Sequence, residues 1–492
     1  MTAKAITNGW SRLTGHRYFS ILAYLALLAS SLVLLPDLES PPQGDVSLYN
    51  HVSQDLVDGK LPYRDRTLEY PPYVVPLILV PKLVSNAGLS YGTVFKYNMY
   101  AIDFFLKLML FWIGLRSVNK ARSFLPLFCY CWAIPFLHFF LLQRYDLWPA
   151  LICTVALCLF CSGRVAWAGV LFAIGVGVKI YPIVFLPPLF ILAARQGKAR
   201  PFCAGVVAGL LPMLLLSFVL PWWRFAQFQG NRGLQCESLY ASFIWFAKQL
   251  GVAPAQWCWV KAWYEVQGPV ADLVLPWSRL MFAGTVIFSM GWVTWVAACS
   301  TGASLGRLAR LLLIPLLAFV AFNQVLSPQY LIWILPLAAL TLLEGRVSPA
   351  ILLTLATMPT QIIFPSFHDD YARGLNPLET LVLVLRNVAL VSAWLLLVRE
   401  TLPGVRQAGW TPWRRILDSF AALLGKGPAT GPAASGPRPS RALTPDSGTS
   451  GLQPDAFLNK RPFHHASFLS PAATPFARLS RRDAHRPAAS TF

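Results

Sequence analysis

The chain has 492 residues, of which 56% are hydrophobic and only 13% are charged, and its formal net charge is +20. Soluble domains carry about 25% charged residues, so this composition excludes a soluble globular protein. The basic excess does not indicate a nucleic-acid partner, because Lys and Arg collect in the cytoplasmic loops of membrane proteins. Residues 400–492 alone supply +7 of the charge, with twelve Lys or Arg and five Asp or Glu.

Apolar runs recur along the chain from Tyr18 to Arg399, and a membrane-spanning helix needs about 20 such residues. The runs lack the period-two alternation of barrel strands, so they predict an all-α polytopic membrane protein. The predicted apolar segments are, in chain order, residues 18–35, 73–84, 94–115, 124–142, 146–161, 165–178, 181–194, 202–220, 277–299, 311–322, 330–343, 349–364 and 378–398.

The segment at 73–84 is short and contains Pro76 and Pro81. Because about 10–14 apolar residues rarely span a bilayer, we expect it to make a half-crossing. A full crossing would also place Arg116, Lys120 and Arg122 outside, against the positive-inside tendency. The other segments then alternate, which predicts about twelve crossings with the N- and C-termini both cytoplasmic.

This topology divides the chain into a cytoplasmic N-terminus at 1–17, a transmembrane domain at 18–400 and a cytoplasmic tail at 401–492. Within the transmembrane domain, two large outer loops are predicted at 36–72 and 221–276. From about residue 425 the tail is rich in Pro, Ala, Ser, Gly and Arg and lacks a sustained apolar period, which predicts disorder.

Polar residues cluster at the ends of the apolar segments, on the face predicted to lie outside. Such ionisable groups are costly at membrane depth and usually mark function. Residues 44–72 carry five acids and three tyrosines, namely Asp45, Asp55, Asp58, Asp65, Glu69, Tyr49, Tyr63 and Tyr70. Further clusters lie at residues 143–146, 179–182, 231–238, 323–330 and 368–370.

These charges suit a site with two roles, since cations hold phosphate and a carboxylate takes the proton of an attacking hydroxyl. Simpler explanations stay open at this point. Lys179 could be a snorkelling lysine at a helix end. Arg144 and Asp146 could pair with each other at the membrane interface.

Other polar residues favour structural roles. Asp103 lies inside an apolar segment, where Lys96 or Lys107 is the expected partner. Asp369 and Asp370 are predicted to lie in a solvated loop.

Two further sites are weakly indicated. Cys236 and Cys258 share one predicted outer loop and could form a disulfide there. No Asp-x-Asp pair is present, and Asp37-Leu38-Glu39 is the nearest approach to one, so a divalent metal is only weakly indicated and no metal ligand is assigned.

Several clusters form ordered motifs. Residues 44–49 read GDVSLY, residues 58–65 read DGKLPYRD and residues 69–72 read EYPP. Later in the chain stand RYDL at 144–147, KIYP at 179–182 and SPQY at 327–330. Together these motifs resemble glycosyltransferase family 87, whose members include actinobacterial mannosyltransferases that use polyprenyl-phosphate-mannose. The resemblance covers about residues 18–400.

The resemblance implies a GT-C fold, which is a multi-span helical bundle with its active site under the first outer loop. It also implies transfer of a hexose, with inversion, from a polyprenyl-phosphate sugar to a hydroxyl of a glycolipid or glycan acceptor. The enzyme would lie in the cell membrane, with its site on the extracytoplasmic side.

The resemblance further assigns roles to residues. Asp45 matches the catalytic acid that follows the first span, and it would deprotonate the acceptor hydroxyl. The candidates for binding the donor phosphate are Arg64, Arg144, Lys179 and Arg232. The residues expected to bind substrate or to shape the loops are Tyr49, Tyr63, Asp65, Glu69, Tyr70, Asp146, Tyr181, Gln235, Glu237, Gln329 and Tyr330.

Two other function classes compete with this interpretation. A transporter or lipid flippase would favour ionisable residues near the midplane and internal repeats, whereas the polar clusters here lie at segment ends and no repeat is evident. A polymerase or ligase that moves a preassembled glycan would need a longer outer loop than the one around Arg232.

Overall fold

The computed structural model describes residues 3–85, 89–117, 122–260, 263–299, 304–345, 347–363, 376–408, 415–419 and 423. The predicted disorder after about residue 425 and the solvated loop at Asp369 and Asp370 lie outside the described residues, as do His368, Lys120 and Arg346. The described residues all belong to one unit within Met1–Thr444.

Helices dominate the first half of the chain. They are α1 (Ala3–Leu32), α2 (Leu35–Glu39), α3 (Asp45–Val57), α4 (Val74–Ser85), α5 (Tyr91–Arg116), α6 (Leu125–Gln143), α7 (Leu147–Cys161), α8 (Val165–Val178), α9 (Leu186–Arg195) and α10 (Ala199–Leu216). A 3-10 turn, Tyr181–Phe185, leads into α9.

The second half adds one small antiparallel hairpin. Its elements are α11 (Arg224–Gly230), α12 (Leu239–Gln249), β1 (Gln256–Val260), β2 (Trp263–Gln267), α13 (Pro269–Cys299), α14 (Leu305–Ala321), α15 (Tyr330–Thr341), α16 (Val347–Gln361) and α17 (Pro377–Ala408). β1 pairs with β2 in the register Trp257–Val266 and Trp259–Tyr264.

By length and composition, six of the described helices can cross a bilayer: Arg17–Glu39, Tyr91–Arg116, Leu125–Gln143, Ala199–Leu216, Pro269–Cys299 and Pro377–Leu402. Further apolar helices are shorter, and among them is α4 with 12 residues. The chain is therefore a helical membrane protein, as its composition predicts. The number of crossings and the side on which each terminus lies stay predictions.

The helix bounds differ from several predicted segment bounds. The segment predicted as an outer loop at 36–72 contains the 13-residue helix α3, and α13 begins at Pro269, inside the loop predicted at 221–276. α14 begins at Leu305, so Arg307 and Arg310 lie inside a helix instead of a loop. Ser304 explains that start, because its hydroxyl accepts a hydrogen bond from the Arg307 N–H at 3.3 Å and caps the helix. α17 continues to Ala408, past the predicted boundary at 400.

The core of the bundle lies around α14 and α15, whose side chains are buried along nearly their whole length. Small residues allow the closest helix contacts elsewhere. A Cβ atom on Gly205 of α10 would lie 2.0 Å from the carbonyl oxygen of Ala166 in α8. Only glycine permits the two backbones to approach this closely, as in other membrane helix pairs.

An ion pair lies deep inside the bundle. Lys107 and Asp103 of α5 are fully buried and 2.6 Å apart, which confirms one of the two expected partners of Asp103. The Tyr130 hydroxyl donates to Asp103 at 2.9 Å, and Lys107 donates to the Ser31 hydroxyl at 3.1 Å. The pair thus ties α1, α5 and α6 together.

Lys96, the alternative partner expected for Asp103, does not pair with it. Lys96 instead donates to the Asp37 carbonyl oxygen at 2.9 Å, which holds α2 against α5. The disulfide that the sequence left open is also absent from the structure, since Cys236 and Cys258 are both free thiols.

Candidate active site

A cavity of about 820 Å³ opens where α3, α13 and the ends of several helices meet. Its walls combine aromatic rings with charged and amide side chains, a mixture typical of a substrate pocket. The charged residues that line it are Asp45, Glu69, Arg144, Lys179, Arg232, Glu237 and Arg279.

Asp45 is the first residue of α3, directly after Gly44. Gly44 has φ +54°, and a Cβ atom there would lie 3.2 Å from the Arg144 guanidinium. This backbone conformation and close approach both favour glycine. The helix N-terminus in turn stabilises the Asp45 carboxylate through its partial positive charge.

Only one oxygen of Asp45 is engaged. Oδ2 lies 3.0 Å from Arg144 Nε, and it accepts hydrogen bonds from the hydroxyls of Tyr49 at 3.4 Å and Tyr70 at 3.5 Å. Within the described part of the chain, Oδ1 has no such partner. A carboxylate held by one oxygen can accept a proton at the other.

The charged residues of the RYDL motif do not pair with each other. Arg144 pairs with Asp45, whereas Asp146 pairs with Lys179 at 3.1 Å. Asp146 Oδ1 also accepts a hydrogen bond from the Trp333 indole N–H at 2.7 Å. The proposed Arg144–Asp146 interfacial pair is therefore wrong, because adjacent elements of the bundle supply both partners.

Lys179 is enclosed rather than snorkelling. Its side chain is only 13% exposed, and its ammonium lies 4.5 Å from the Tyr145 ring centre, 5.3 Å from that of Tyr70 and 5.4 Å from that of Trp333. Such ring faces attract a cation. Together with Asp146 they hold the ammonium at the cavity wall.

Three tyrosines form the layer beneath Asp45. The rings of Tyr49, Tyr70 and Tyr145 meet edge to face, with centres between 5.2 and 6.0 Å apart. Tyr49 and Tyr145 are almost fully buried. This packing fixes the start of α3 against the end of α6.

Residues 63–65 shape the loop and do not line the cavity. Tyr63 adopts φ +66° and donates its hydroxyl to the Tyr70 carbonyl oxygen at 2.7 Å. Asp65 accepts the Leu61 N–H at 2.8 Å, which closes the turn. The Arg64 side chain is 67% exposed and lies 3.8 Å from Asp65. Arg64 does not line the cavity, and its assignment to the donor phosphate stays a prediction.

Two arginines of the cavity have no carboxylate partner among the described residues, namely Arg232 and Arg279. Arg232 lies over the Trp263 ring at 4.1 Å. Arg279 donates to Gln324 at 3.0 Å and to the Arg232 carbonyl oxygen at 3.3 Å. Arg279 is not among the residues predicted from the sequence, although an arginine within the long apolar helix α13 is a usable signal.

Glu69 lines the cavity and interacts with both its acid and its cations. Burial raises the pKa of Glu69, the Asp45 carboxylate raises it further, and the positive charges of Arg232 and Lys179 partly oppose this. The main chain of Glu69 is held by Gln229, whose amide donates to its carbonyl oxygen at 3.2 Å.

Glu237 lines the cavity but already has a partner. Its carboxylate lies 2.5 Å from the guanidinium of Arg386, which is fully buried in α17. Arg386 and Asn387 also donate to the Glu237 carbonyl oxygen, at 2.6 and 3.2 Å. Glu237 therefore fastens the segment before α12 to α17 and contributes little free charge to the cavity.

The remaining candidates from the sequence fall into two groups. Gln235, Gln329 and Tyr330 line the cavity. Tyr181 is buried behind it, stacked on Trp333 at 4.5 Å. Among the described residues, no three His, Cys, Asp or Glu side chains form a group that could hold a metal ion. Asp37, which belongs to the Asp37-Leu38-Glu39 sequence considered for a metal, pairs with His138.

No protein-family model matches the chain, and no curated protein matches it.

Proposed function

We propose that this chain is a membrane glycosyltransferase of the GT-C type, which moves a hexose from a polyprenyl-phosphate sugar to an acceptor hydroxyl. The observation that supports it best is one cavity that contains Asp45, with a free carboxylate oxygen, and two arginines without carboxylate partners among the described residues. These are a base and a phosphate-binding group, which this reaction requires. The motif resemblance to glycosyltransferase family 87 favours mannose as the hexose.

In the proposed reaction, the acceptor hydroxyl donates its proton to Oδ1 of Asp45. The acceptor oxygen forms a bond to the anomeric carbon from one face as the bond from that carbon to the phosphate oxygen breaks on the other. The configuration is inverted, and polyprenyl phosphate leaves with the bonding electrons. Arg232 and Arg279 stabilise the negative charge of the leaving phosphate because they are positioned before the reaction begins.

The cations of the cavity then divide into two classes. Arg144 and Lys179 are each matched by a carboxylate, Asp45 and Asp146. In this proposal Arg144 positions the base and Lys179 supports the wall beside it. Binding of the donor phosphate falls to Arg232 and to Arg279.

The proposal places the enzyme in the cell membrane, with about twelve crossings and both termini cytoplasmic, as the positive-inside pattern favours. The cavity then opens on the extracytoplasmic side. A polyprenyl-phosphate donor reaches it through the lipid, and a glycolipid or glycan acceptor meets the donor there.

Substitution of the base tests the proposal. Membranes that contain Asp45→Asn should transfer labelled mannose from polyprenyl-phosphate-mannose about 10²–10⁴-fold more slowly than wild type, the usual contribution of a general base. Asp58→Asn is the matched control, since this exposed acid lies in the same segment and contacts Gln54 instead of the cavity. Membrane insertion of both variants is checked by immunoblot.

Two outcomes would contradict the proposal. One is normal transfer by the inserted Asp45→Asn variant. The other is uptake or flipping of a lipid-linked sugar by proteoliposomes with no covalent product, which is the behaviour of a transporter or flippase.

A further inference from the structure

The hairpin of β1 and β2 presents aromatic rings to the cavity. Trp259, Trp263 and Tyr264 all line it. Trp263 is already covered by the Arg232 guanidinium. Trp259 is different, since its side chain is 57% exposed although the residue belongs to the cavity wall.

The hairpin is held rigidly in place. Val266 donates its N–H to the Leu234 carbonyl oxygen at 2.9 Å, and Cys236 donates to that of Tyr264 at 3.1 Å. Trp257 stacks on the buried Trp245 of α12, with ring centres 4.3 Å apart. A preformed surface of this kind costs little conformational entropy when a ligand binds.

The Trp259 ring is also fixed in orientation. Its cross-strand partner is Tyr264, whose ring meets the indole edge to face with centres 4.7 Å apart. The Trp259 ring stays largely exposed beside this contact. A flat aromatic face with a negative quadrupole suits the C–H groups on one face of a pyranose ring.

Amide side chains complete the chemistry of a sugar site. Asn323 and Gln329 line the same cavity. Within the described residues, the Asn323 side-chain amino group and the Gln329 amide have no hydrogen-bond partner. Amides that both donate and accept match sugar hydroxyls, whereas a lipid chain or a plain apolar partner would leave them unsatisfied.

We propose that this hairpin is the acceptor platform, and that the acceptor is a carbohydrate whose pyranose ring stacks on Trp259. This inference rests on the proposed function and names the acceptor class for the same cavity. The donor phosphate is assigned to Arg232 and Arg279, so the exposed ring of Trp259 is left for the second substrate.

Binding without a donor tests the platform. The full chain in lipid nanodiscs is mixed with methyl α-mannopyranoside or methyl α-glucopyranoside, and saturation-transfer NMR reports contact with the sugar protons. Wild type should give a signal that Trp259→Ala weakens by about 2- to 10-fold and that Trp259→Phe largely retains, since a ring contact is worth a modest free energy.

Trp277→Ala is the matched control. Trp277 is 62% exposed on α13 and is not one of the described residues that line the cavity, so its loss should leave the sugar signal unchanged. A signal equally strong in Trp259→Ala, an equal loss in Trp277→Ala, or no signal from wild type with either glycoside would overturn the inference.

Kinetics give a second readout. With methyl α-mannopyranoside as the acceptor, Trp259→Ala should raise the KM for this glycoside by about 2- to 10-fold and leave the KM for polyprenyl-phosphate-mannose unchanged. A higher donor KM alone would overturn the acceptor assignment. The two proposals can fail separately. Sugar binding by Asp45→Asn in nanodiscs is measured without transfer, so it tests the platform alone. Transfer does not require Trp259 to contact the acceptor, so it tests the proposed function alone.

Discussion

Asp146 and Lys179 show how a buried charge is stabilised by partners from distant parts of the chain. Asp146 is fully buried, and its carboxylate is matched by the ammonium 3.1 Å away and by the Trp333 indole. Removing one member of a buried ion pair strands the other charge, whereas removing both restores neutrality.

A double-mutant cycle checks this. Asp146→Asn and Lys179→Met should each lower the free energy of unfolding in detergent by about 3–5 kcal/mol, and the double variant should lose much less than the sum. Lys60→Met is the control, since Lys60 is 56% exposed in its pair with Asp55 and should cost less than about 1 kcal/mol. Additive losses would contradict the pairing.

The raised pKa of Glu69 predicts that the free energy of unfolding depends on pH. Its pKa is raised, first by burial and then by Asp45, so the folded state holds its proton more tightly than the unfolded chain does. The free energy of unfolding should therefore decrease as pH rises from the ordinary glutamate pKa through the raised one. Glu69→Gln stays neutral and should escape this loss.

The measurement is the difference in Tm between Glu69→Gln and wild type, from about pH 4 to pH 8. We expect no difference from this group at the acidic end and a more stable variant at the neutral end. Asp58→Asn, on an exposed acid, provides the baseline. A difference that is constant across the range, or that grows toward acid, would refute the assignment.

The cavity contains some of the residues that the sequence singled out and not others. Among the acids of residues 44–72, Asp45 could be singled out because it stands nearest the first apolar segment and within a recognisable motif. Arg64 stands in an equally polar motif, yet its side chain points to solvent. Side-chain direction depends on the turn that Tyr63 and Asp65 form, and spacing along the chain does not reveal it.

At the scale of elements, the length of α4 bears on whether this helix crosses the bilayer completely. Its 12 residues rise about 18 Å, against about 30 Å for the hydrocarbon core of a bilayer. Tyr73, just before α4, donates its N–H to the Gly177 carbonyl oxygen at 2.9 Å, so the helix starts against the end of α8. Both features favour a half-crossing.

Cysteine labelling tests the half-crossing. Lys60→Cys and Leu89→Cys place thiols at exposed positions before and after α4, and both should react with a membrane-impermeant maleimide added to intact spheroplasts. Wild type, with nine native cysteines, gives the background. Labelling of only one of the two positions from outside would show that α4 crosses completely.

The segment at 221–276 is the least predictable part of the chain. Its sequence predicts a loop, but it contains α11, α12 and the β1–β2 hairpin. The strands are only five residues each, and their alternation is hidden by tryptophans on both faces. The hairpin is stabilised by packing on Trp245 and by main-chain bonds to residues 234–236, which are contacts that local sequence does not contain.

At the scale of the whole molecule, the sequence by itself determined a helical membrane protein, the order of its apolar segments and the acidic segment in which Asp45 lies. Hydrophobic runs and proline positions are local, and a bilayer leaves a backbone few options besides the helix. Only the tertiary structure decided that Asp45 pairs with Arg144, that Asp146 pairs with Lys179 and that Arg279 joins Arg232. These partners meet because separate helices end at the same cavity, and pairing across such distances follows from packing of the whole bundle.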